Sequence, residues 1–434
     1  MRLDNCSRKL SFFLLLAGLA STLLAGNAAA ESLQQAWETA LAVNHTLRAS
    51  RENSAAAANL FEAAKSGRLP NVVLEAGYFV LDNTPELKAQ LAGQSMQIPL
   101  AQQNGATYKT MATLPLYTGG RITSGINAAA VALDAAKFGE IGDRQSLKLQ
   151  VADSFIGVLR AGHILKVAES HVKSLEAHFR DAENLYEQGM VARSDLLSAR
   201  VALADARQKS LQAANRLELA SAGYNRLLGR PLDQLVSLDE FIPSEEEEKL
   251  SALTDKAISQ RSELAALTCQ VSALRHQADA VRGENWPQVG LSGGYSYQQN
   301  RYQEHEGQWL VTLGVRWNIF DGSAVSQRAN AIEHQAGTLA EQRQELSSIV
   351  KLQVRQAWLD VQETRKRIDV TQSAIAMAEE NLRVVVDRYA NGLSTHTEVL
   401  DAEALRVNSE TSDVNAHFDN VIAQLWLKRT TGEL

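Results

Sequence analysis

A chain of 434 residues has room for two or three globular domains, yet only 7 prolines interrupt it, and its Ala, Leu, Glu, Gln and Arg content suits helices. It carries 43 Lys and Arg against 50 Asp and Glu, a net charge of −7, with no basic tract, which argues against nucleic acid as a partner.

The N-terminal stretch holds Arg2, Arg8 and Lys9, an apolar run from Leu10 to Leu24, and an ending at Ala28-Ala29-Ala30. Small residues at Ala28 and Ala30 form the A-x-A pattern of a cleaved secretory signal, so residues 1–30 are expected to be removed and the mature chain to begin at Glu31. The run is short for an uncleaved anchor. Cleavage takes away three basic residues and one acidic one, leaving 40 against 49, and leaves Cys269 as the one cysteine. A lone thiol in an oxidising compartment has no internal partner and reads as a buried small apolar residue. No later stretch approaches 18 uninterrupted apolar residues, so any crossing of a bilayer must use strands.

Residues 32–68 read as one helix, stopped at Leu69-Pro70 because the residue before proline is pushed out of the helical region. Val72, Leu74, Ala76, Tyr78 and Val80 are then apolar at every second position, with Glu75 and Gly77 in between, the period of a strand with one apolar face. The segment from Asp82 to Thr107 reads as a loop. A second alternating run, Tyr108, Thr110, Ala112, Leu114 and Leu116, completes a hairpin over about 71–118. From Gly119 to Gly189 the chain runs 70 residues without proline, and the seam Val151, Phe155, Val158, Leu165, Val172, Leu175, Phe179, Ala182 and Tyr186 steps by three, four or seven. That is the beat of a coiled coil. At about 1.5 Å per residue such a helix reaches roughly 105 Å. A turn at Gly189 leads into a return helix to about Gly229-Arg230-Pro231, with Ser194 near its N-cap.

The order then repeats. Pro243-Ser244 and four glutamates read as a linker and helix start, with acids favoured in the first turn. A helix from about Ser251 to Asn285 ends at Trp286-Pro287. A hairpin over about 288–320 alternates Val289, Leu291, Gly293, Tyr295 and Tyr297, then Trp309, Val311, Leu313, Val315 and Trp317. The interval Gly322 to Gly392 matches Gly119 to Gly189 at a shift of 203, whereas Pro287 lies 217 beyond Pro70, so the first outer loop is longer by the difference. Thr397 lies near the N-cap of the last helix. Two structural repeats, 31–242 and 243–434, are expected after the signal.

Four strands cannot close on themselves, and an open edge in hydrocarbon would strand backbone donors and acceptors, so hairpins of several chains must join. Gly290, Ser292, Gly294, Ser296, Thr312, Gly314 and Asn318 suit a water-filled interior, while Tyr78, Tyr295, Tyr297, Trp309 and Trp317 suit lipid and its interfaces.

These features resemble the TolC-type outer-membrane efflux proteins. The resemblance is carried by the Leu69-Pro70 and Trp286-Pro287 strand entries, by Leu114-Pro115-Leu116-Tyr117-Thr118-Gly119-Gly120-Arg121, by the paired Tyr-x-x-Gly turns after Tyr186 and Tyr389, and by the duplication. It implies a mainly α fold with a membrane β-barrel: a homotrimer whose 12-stranded barrel in outer-membrane lipid continues into a coiled α-helical barrel across the periplasm. It further implies an exit duct for efflux or type I secretion, working with a periplasmic membrane-fusion adaptor and an inner-membrane transporter of ABC or RND type. Residue by residue, Glu398 and Asp401 fall where the family rings its periplasmic constriction with acids, and Asp195 and Tyr389 where it ties the inner hairpin shut. Gly189, Met190, Gly392 and Leu393 fall at the adaptor-docking tips. Ser394 stands where the family's usual tip arginine would align, a departure from its lock.

No catalytic grouping, phosphate loop or metal-ligand spacing emerges from the nine histidines and the remaining polar residues, so neither enzyme activity nor a cofactor is expected. Gly290-Leu291-Ser292-Gly293-Gly294 looks superficially like a nucleophile elbow but lies within an alternating strand. His396 reads as a solvent-exposed turn histidine, although an imidazole can titrate near neutral pH. A periplasmic coiled-coil adaptor or a surface structural protein without channel activity is the competing class.

Overall fold

The computed structural model describes residues 30–91, 93–241 and 248–434. Residues 1–29 of the expected signal and residues 243–247 of the acidic run lie outside them. The elements are α1 (Leu33–Val43), α2 (His45–Ser66), β1 (Asn71–Val80), β2 (Glu86–Leu91), β3 (Gln94–Pro99), β4 (Asn104–Tyr117), α3 (Arg121–Glu187), α4 (Arg193–Leu227), α5 (Leu250–Gln260), α6 (Ser262–Arg282), β5 (Gln288–Gln298), β6 (Gly307–Arg316), α7 (Ala324–Ala390) and α8 (His396–Thr431). The long helices α3 and α7 have 67 residues each and begin 203 apart. No described helix is long and apolar enough to cross a membrane.

Expectations about the secondary structure are corrected at four points. The first helix of each copy is broken, at Asn44 and at Arg261, both extended with ψ 126° and 117°. The Asn44 carboxamide oxygen accepts from the Thr46 and Leu47 amides, competing with the helical ladder. The outer segment is not all loop: β2 and β3 pair as an antiparallel ribbon around Gly93. Glu86–Pro99 spans fourteen residues, the whole difference between the offsets of 217 and 203. The N-caps are Ala192 and Thr395, and only Thr395 accepts a backbone hydrogen bond, from Glu398. Finally, α5 starts at Leu250, so Glu248 precedes the first turn and pairs with Lys256 at 2.6 Å.

The chain forms two compact units. One comprises residues up to Arg48, Asp143–Gln260 and Val350–Leu434. Its core packs Leu33, Ala36, Ala40 and Leu47 with Val151, Phe155, Ile156, Leu227 and Leu425. Phe155 meets Tyr224 edge-on at 6.0 Å. The Tyr224 hydroxyl and both Arg230 guanidinium nitrogens reach Glu31, and the Glu31 backbone pairs with Ser237 and Asp239. The start of the expected mature chain is thus fastened to the segment after α4.

The other unit comprises Ala49–Gly142 and Arg261–Ile349. It holds one antiparallel sheet of order β1-β4-β5-β6, which joins the hairpins of both copies side by side, and the separate β2-β3 ribbon. Register slips between Pro115 and Tyr117, so Tyr117 rather than Leu116 opposes Val289. Proline has no amide to give the ladder, which is why the bulge sits there. Cys269, on α6, is half-buried rather than fully buried.

At Gly119 (φ 59°) the chain leaves the sheet, and an added Cβ would lie 2.4 Å from Trp286 Cβ and 2.5 Å from Gly283 O. Gly120 also has positive φ, but nothing lies within 4 Å of its Cβ position. We expect Gly119→Ala to lower the thermal midpoint by circular dichroism well beyond Gly120→Ala. The latter should cost only about 1–2 kcal/mol for a left-handed backbone.

Candidate functional site

Opposed residues of antiparallel strands share a face. Val72, Leu74, Ala76, Tyr78 and Val80 therefore lie in line with Ala106, Tyr108, Thr110, Ala112 and Leu114, then with Val289, Leu291, Gly293, Tyr295 and Tyr297, and then with Trp309, Val311, Leu313 and Val315. This apolar face is open to the surroundings: Trp309 is 79% exposed and Val311 74%. Tyr295 packs on Trp309 at 5.3 Å, and Tyr108 stacks on Tyr297 at 4.8 Å. Tyr108 belongs to this aromatic cluster although only the other ring positions were expected there. Trp317 lies just beyond β6, its indole N–H donating to Asn285 O. The opposite face carries the row Glu75, Lys109, Ser296 and Gln308 and the row Thr113, Ser292 and Thr312. A third row there, Val73, Met111, Gly294 and Leu310, is mostly apolar.

The two tip turns share one geometry. Gly189 (φ 73°) and Gly392 (φ 72°) follow α3 and α7, donating to Tyr186 O and Tyr389 O. Met190 and Leu393 donate back to Leu185 O and Arg388 O, both at 2.8 Å. This double closure of a helix end needs a left-handed residue, hence glycine, and leaves Met190 and Leu393 exposed at 62% and 69%.

Glu398 is exposed and held locally: its carboxylate accepts from Ser394 at 2.6 Å and from Thr395 at 3.2 Å. The Ser394 hydroxyl, then Thr395, hold this carboxyl below its ordinary range. Asp401, one turn on, is also exposed. Tyr389 is buried, and its hydroxyl has no partner among the described residues. Burial, then the Asp195 carboxylate, raise that phenol's pKa, but the two groups are not hydrogen-bonded; Asp195 accepts from Ser194 instead.

Behind the tip lie two buried polar layers that join α3 to α8. His178 Nε2 lies 2.8 Å from His396 Nδ1, with the rings stacked at 4.9 Å. Seven residues along each helix, His171 Nδ1 lies 3.0 Å from Glu403 Oε1. Glu403 also accepts from Arg406 at 2.6 and 3.2 Å, and Arg406 reaches on to Glu410. His396 is therefore buried, not a solvent-exposed turn histidine, because the antiparallel register sets it against α3. Sequence reasoning missed His178, Glu403 and Arg406. The available signal was a pair of histidines a heptad apart, each next to a seam position on α3 (Val172 and Phe179). Among the described residues no group of three or more His, Cys, Asp or Glu could hold a metal ion.

The family model described as Outer membrane efflux protein matches residues 36–230 and 253–433. Outer membrane protein TolC of Escherichia coli K12 is 20% identical over 438 residues, covering 97% of this chain and 86% of its own. Among solved structures, the outer-membrane channel OprN superposes with a TM-score of 0.79 at 20% identity, covering 93% of this chain and 90% of that one. The outer membrane protein VceC of Vibrio cholerae also gives 0.79, at 18% identity, covering 92% and 96%.

Burial alone would raise the Glu403 carboxyl, but hydrogen bonds from His171 and Arg406 outweigh it and bring its pKa to about 2. An acid depressed from 4.5 contributes stability above 4.5 and loses it as pH falls toward 2, so the contribution of the Glu403 carboxyl should be constant from pH 8 to 5. Glu403→Gln leaves Arg406 short of its buried counter-charge and is expected to cost about 3 kcal/mol. The measurement is thermal unfolding at pH 7. Replacing both Glu403 and Arg406 by Leu should recover part of that loss.

Proposed function

The chain belongs to the outer membrane efflux protein family, and on that premise we propose that three copies pool their sheets into one barrel whose lumen continues between the helices. It is an outer-membrane efflux channel with a long helical periplasmic part. Three copies of a four-stranded sheet give twelve strands, enough to leave an aqueous lumen. The observation that carries this reading is the sheet itself, with a continuous exposed apolar face from Val72 to Val315 and unpaired edges at β1 and β6. Tyr78, Tyr295, Tyr297, Trp309 and Trp317 then face lipid, and the row Glu75, Lys109, Ser296 and Gln308 faces water.

At the other end of the duct, three copies each of Glu398 and Asp401 would gather around one axis. Such a ring favours cations and slows anions. Local hydrogen bonds to Ser394 and Thr395 keep Glu398 ionised, as a selectivity ring needs. Tyr389 and Asp195 brace the inner hairpin from behind. Met190 and Leu393, apolar and exposed beside Gly189 and Gly392, offer matched contacts to a periplasmic adaptor, which would link the duct to an inner-membrane transporter of ABC or RND type. The substrate passes through passively, and energy comes from that transporter.

Purified protein in mild detergent should have three times the chain mass and should conduct cations in planar bilayers. A monomer that passes no ions rules the reading out. The double variant Glu398→Ala with Asp401→Ala should lose cation selectivity and divalent block while keeping the trimer; unchanged selectivity rejects the ring. Met190→Cys or Leu393→Cys should crosslink to a co-expressed adaptor, and no product from either position counts against docking at the tips.

A further inference from the structure

We propose that the His178–His396 pair is an acid-released latch tying the start of α8 to α3. Its consequence for gating rests on reading the tip as the inner mouth of a channel. The geometry is specific. The two ring nitrogens lie 2.8 Å apart, so one carries a proton and the other accepts it. Protonating both imidazoles would place two N–H groups against each other at that distance. The remaining ring nitrogen of His396, Nε2, is buried and has no hydrogen-bond partner among the described residues. Whichever tautomer His396 adopts, a second proton therefore breaks the bond to His178 or creates a buried cation with nothing to accept from it.

The surroundings come from four helices. On α3, Asp181 lies near Tyr389; on α4, Asp195 faces both Tyr389 and His396; on α7, the Tyr389 ring is 5.2 Å from His178; on α8, Glu403 lies one layer away. The carboxylates of Asp195 and Glu403 favour protonation, but burial outweighs them. It lowers His396, and with the neighbouring imidazole it brings His178 from 6.5 to about 4. A histidine depressed in the latched state supports that state fully above 6.5, and the support drains away as pH falls toward 4. His178 alone thus shifts the balance toward release by about 30-fold at pH 5. The Glu403 carboxyl, held at about 2, stays ionised against Arg406 through that window, so this carboxylate–guanidinium pair is kept while the pair at the tip parts. A shift of 203 carries His178 to Asn381 and His396 to Arg193, both exposed, so the pseudo-equivalent positions hold no second imidazole pair.

The test places spin labels at exposed sites on the two helices, Glu183→Cys and Thr397→Cys with Cys269→Ser, in the full-length protein diluted with unlabelled chain. Pulsed dipolar distances at pH 7.5 and 5.0 should differ, with a longer, reversible component at pH 5.0. The variant His178→Gln with His396→Asn, which can keep a neutral hydrogen bond, should give the same distribution at both values. Identical wild-type distributions at the two pH values overturn the latch, and this arm needs no histidine variant to fold. Equal lengthening in the double variant also overturns it. Conductance of the same samples is read separately: absence of ion passage at both pH values defeats the channel reading, while the distances still decide the latch.

Discussion

A four-stranded sheet with one apolar face is at odds with both solvents available to it. In water, Trp309, Val311, Leu313 and Val315 stand exposed, and each such side chain forgoes about 1.5–3 kcal/mol of burial. In hydrocarbon the face is content, but the edges along β1 and β6 hold backbone groups whose isolation costs several kcal/mol each. The edge penalty repeats along ten-residue strands and therefore dominates in lipid. Only pairing of edge to edge, with the apolar face outward in a bilayer, removes both terms. The arrangement of the chain follows from that demand.

Internal duplication meets half of it within a single chain. Each copy supplies one hairpin, and the β4–β5 ladder from Thr107–Gln298 to Tyr117–Val289 joins the two. The same doubling supplies two helices of 67 residues, each ended by a turn with the same left-handed glycine and the same backbone hydrogen bonds. The copies are not interchangeable, however. Tyr389 is buried while its counterpart Tyr186 is 39% exposed, and the histidine pair has no equivalent at Asn381 and Arg193. A duct built from identical halves would have no preferred hairpin to move; these differences distinguish α7 and α8 from α3 and α4.

What the sequence disclosed was whatever repeats or alternates. The long helices were legible to within two residues because glycines fix their ends, and the strand faces because period two survives in Val72 to Val80 and Trp309 to Val315. The helix breaks at Asn44 and Arg261 were not legible, since neither proline nor glycine marks them; only their common spacing of 217, seen afterwards, gives them away. The β2–β3 ribbon hid because its alternation, Leu87, Ala89 and Leu91 against Met96 and Ile98, is short and sits among Gln and Ser. His178 and His396 are 218 residues apart, and no local pattern reports such a contact. Finding it requires the register of two antiparallel helices, which side-chain packing alone supplies.

That register is itself a physical problem, because a long apolar seam reads nearly the same after a slip of one heptad. Two polar layers remove the degeneracy, and each blocks one direction. Sliding α8 one heptad away from the tip would bring Glu403 level with Ile164, stripping a buried carboxylate of its His171 partner. Sliding it the other way would set His171 against Glu410 and His178 against Glu403, so the carboxylates would still find imidazoles. His396 would then face Leu185 with neither ring nitrogen bonded. The Glu403 layer alone would therefore tolerate the second slip, whereas the neutral histidine pair opposes it, as does the Arg160–Asp419 ion pair farther along the same two helices. A seam that must hold its register and yet be able to part at one end is served by this division: a carboxylate–guanidinium layer that stays ionised deep in the seam, and a titratable pair beside the turn.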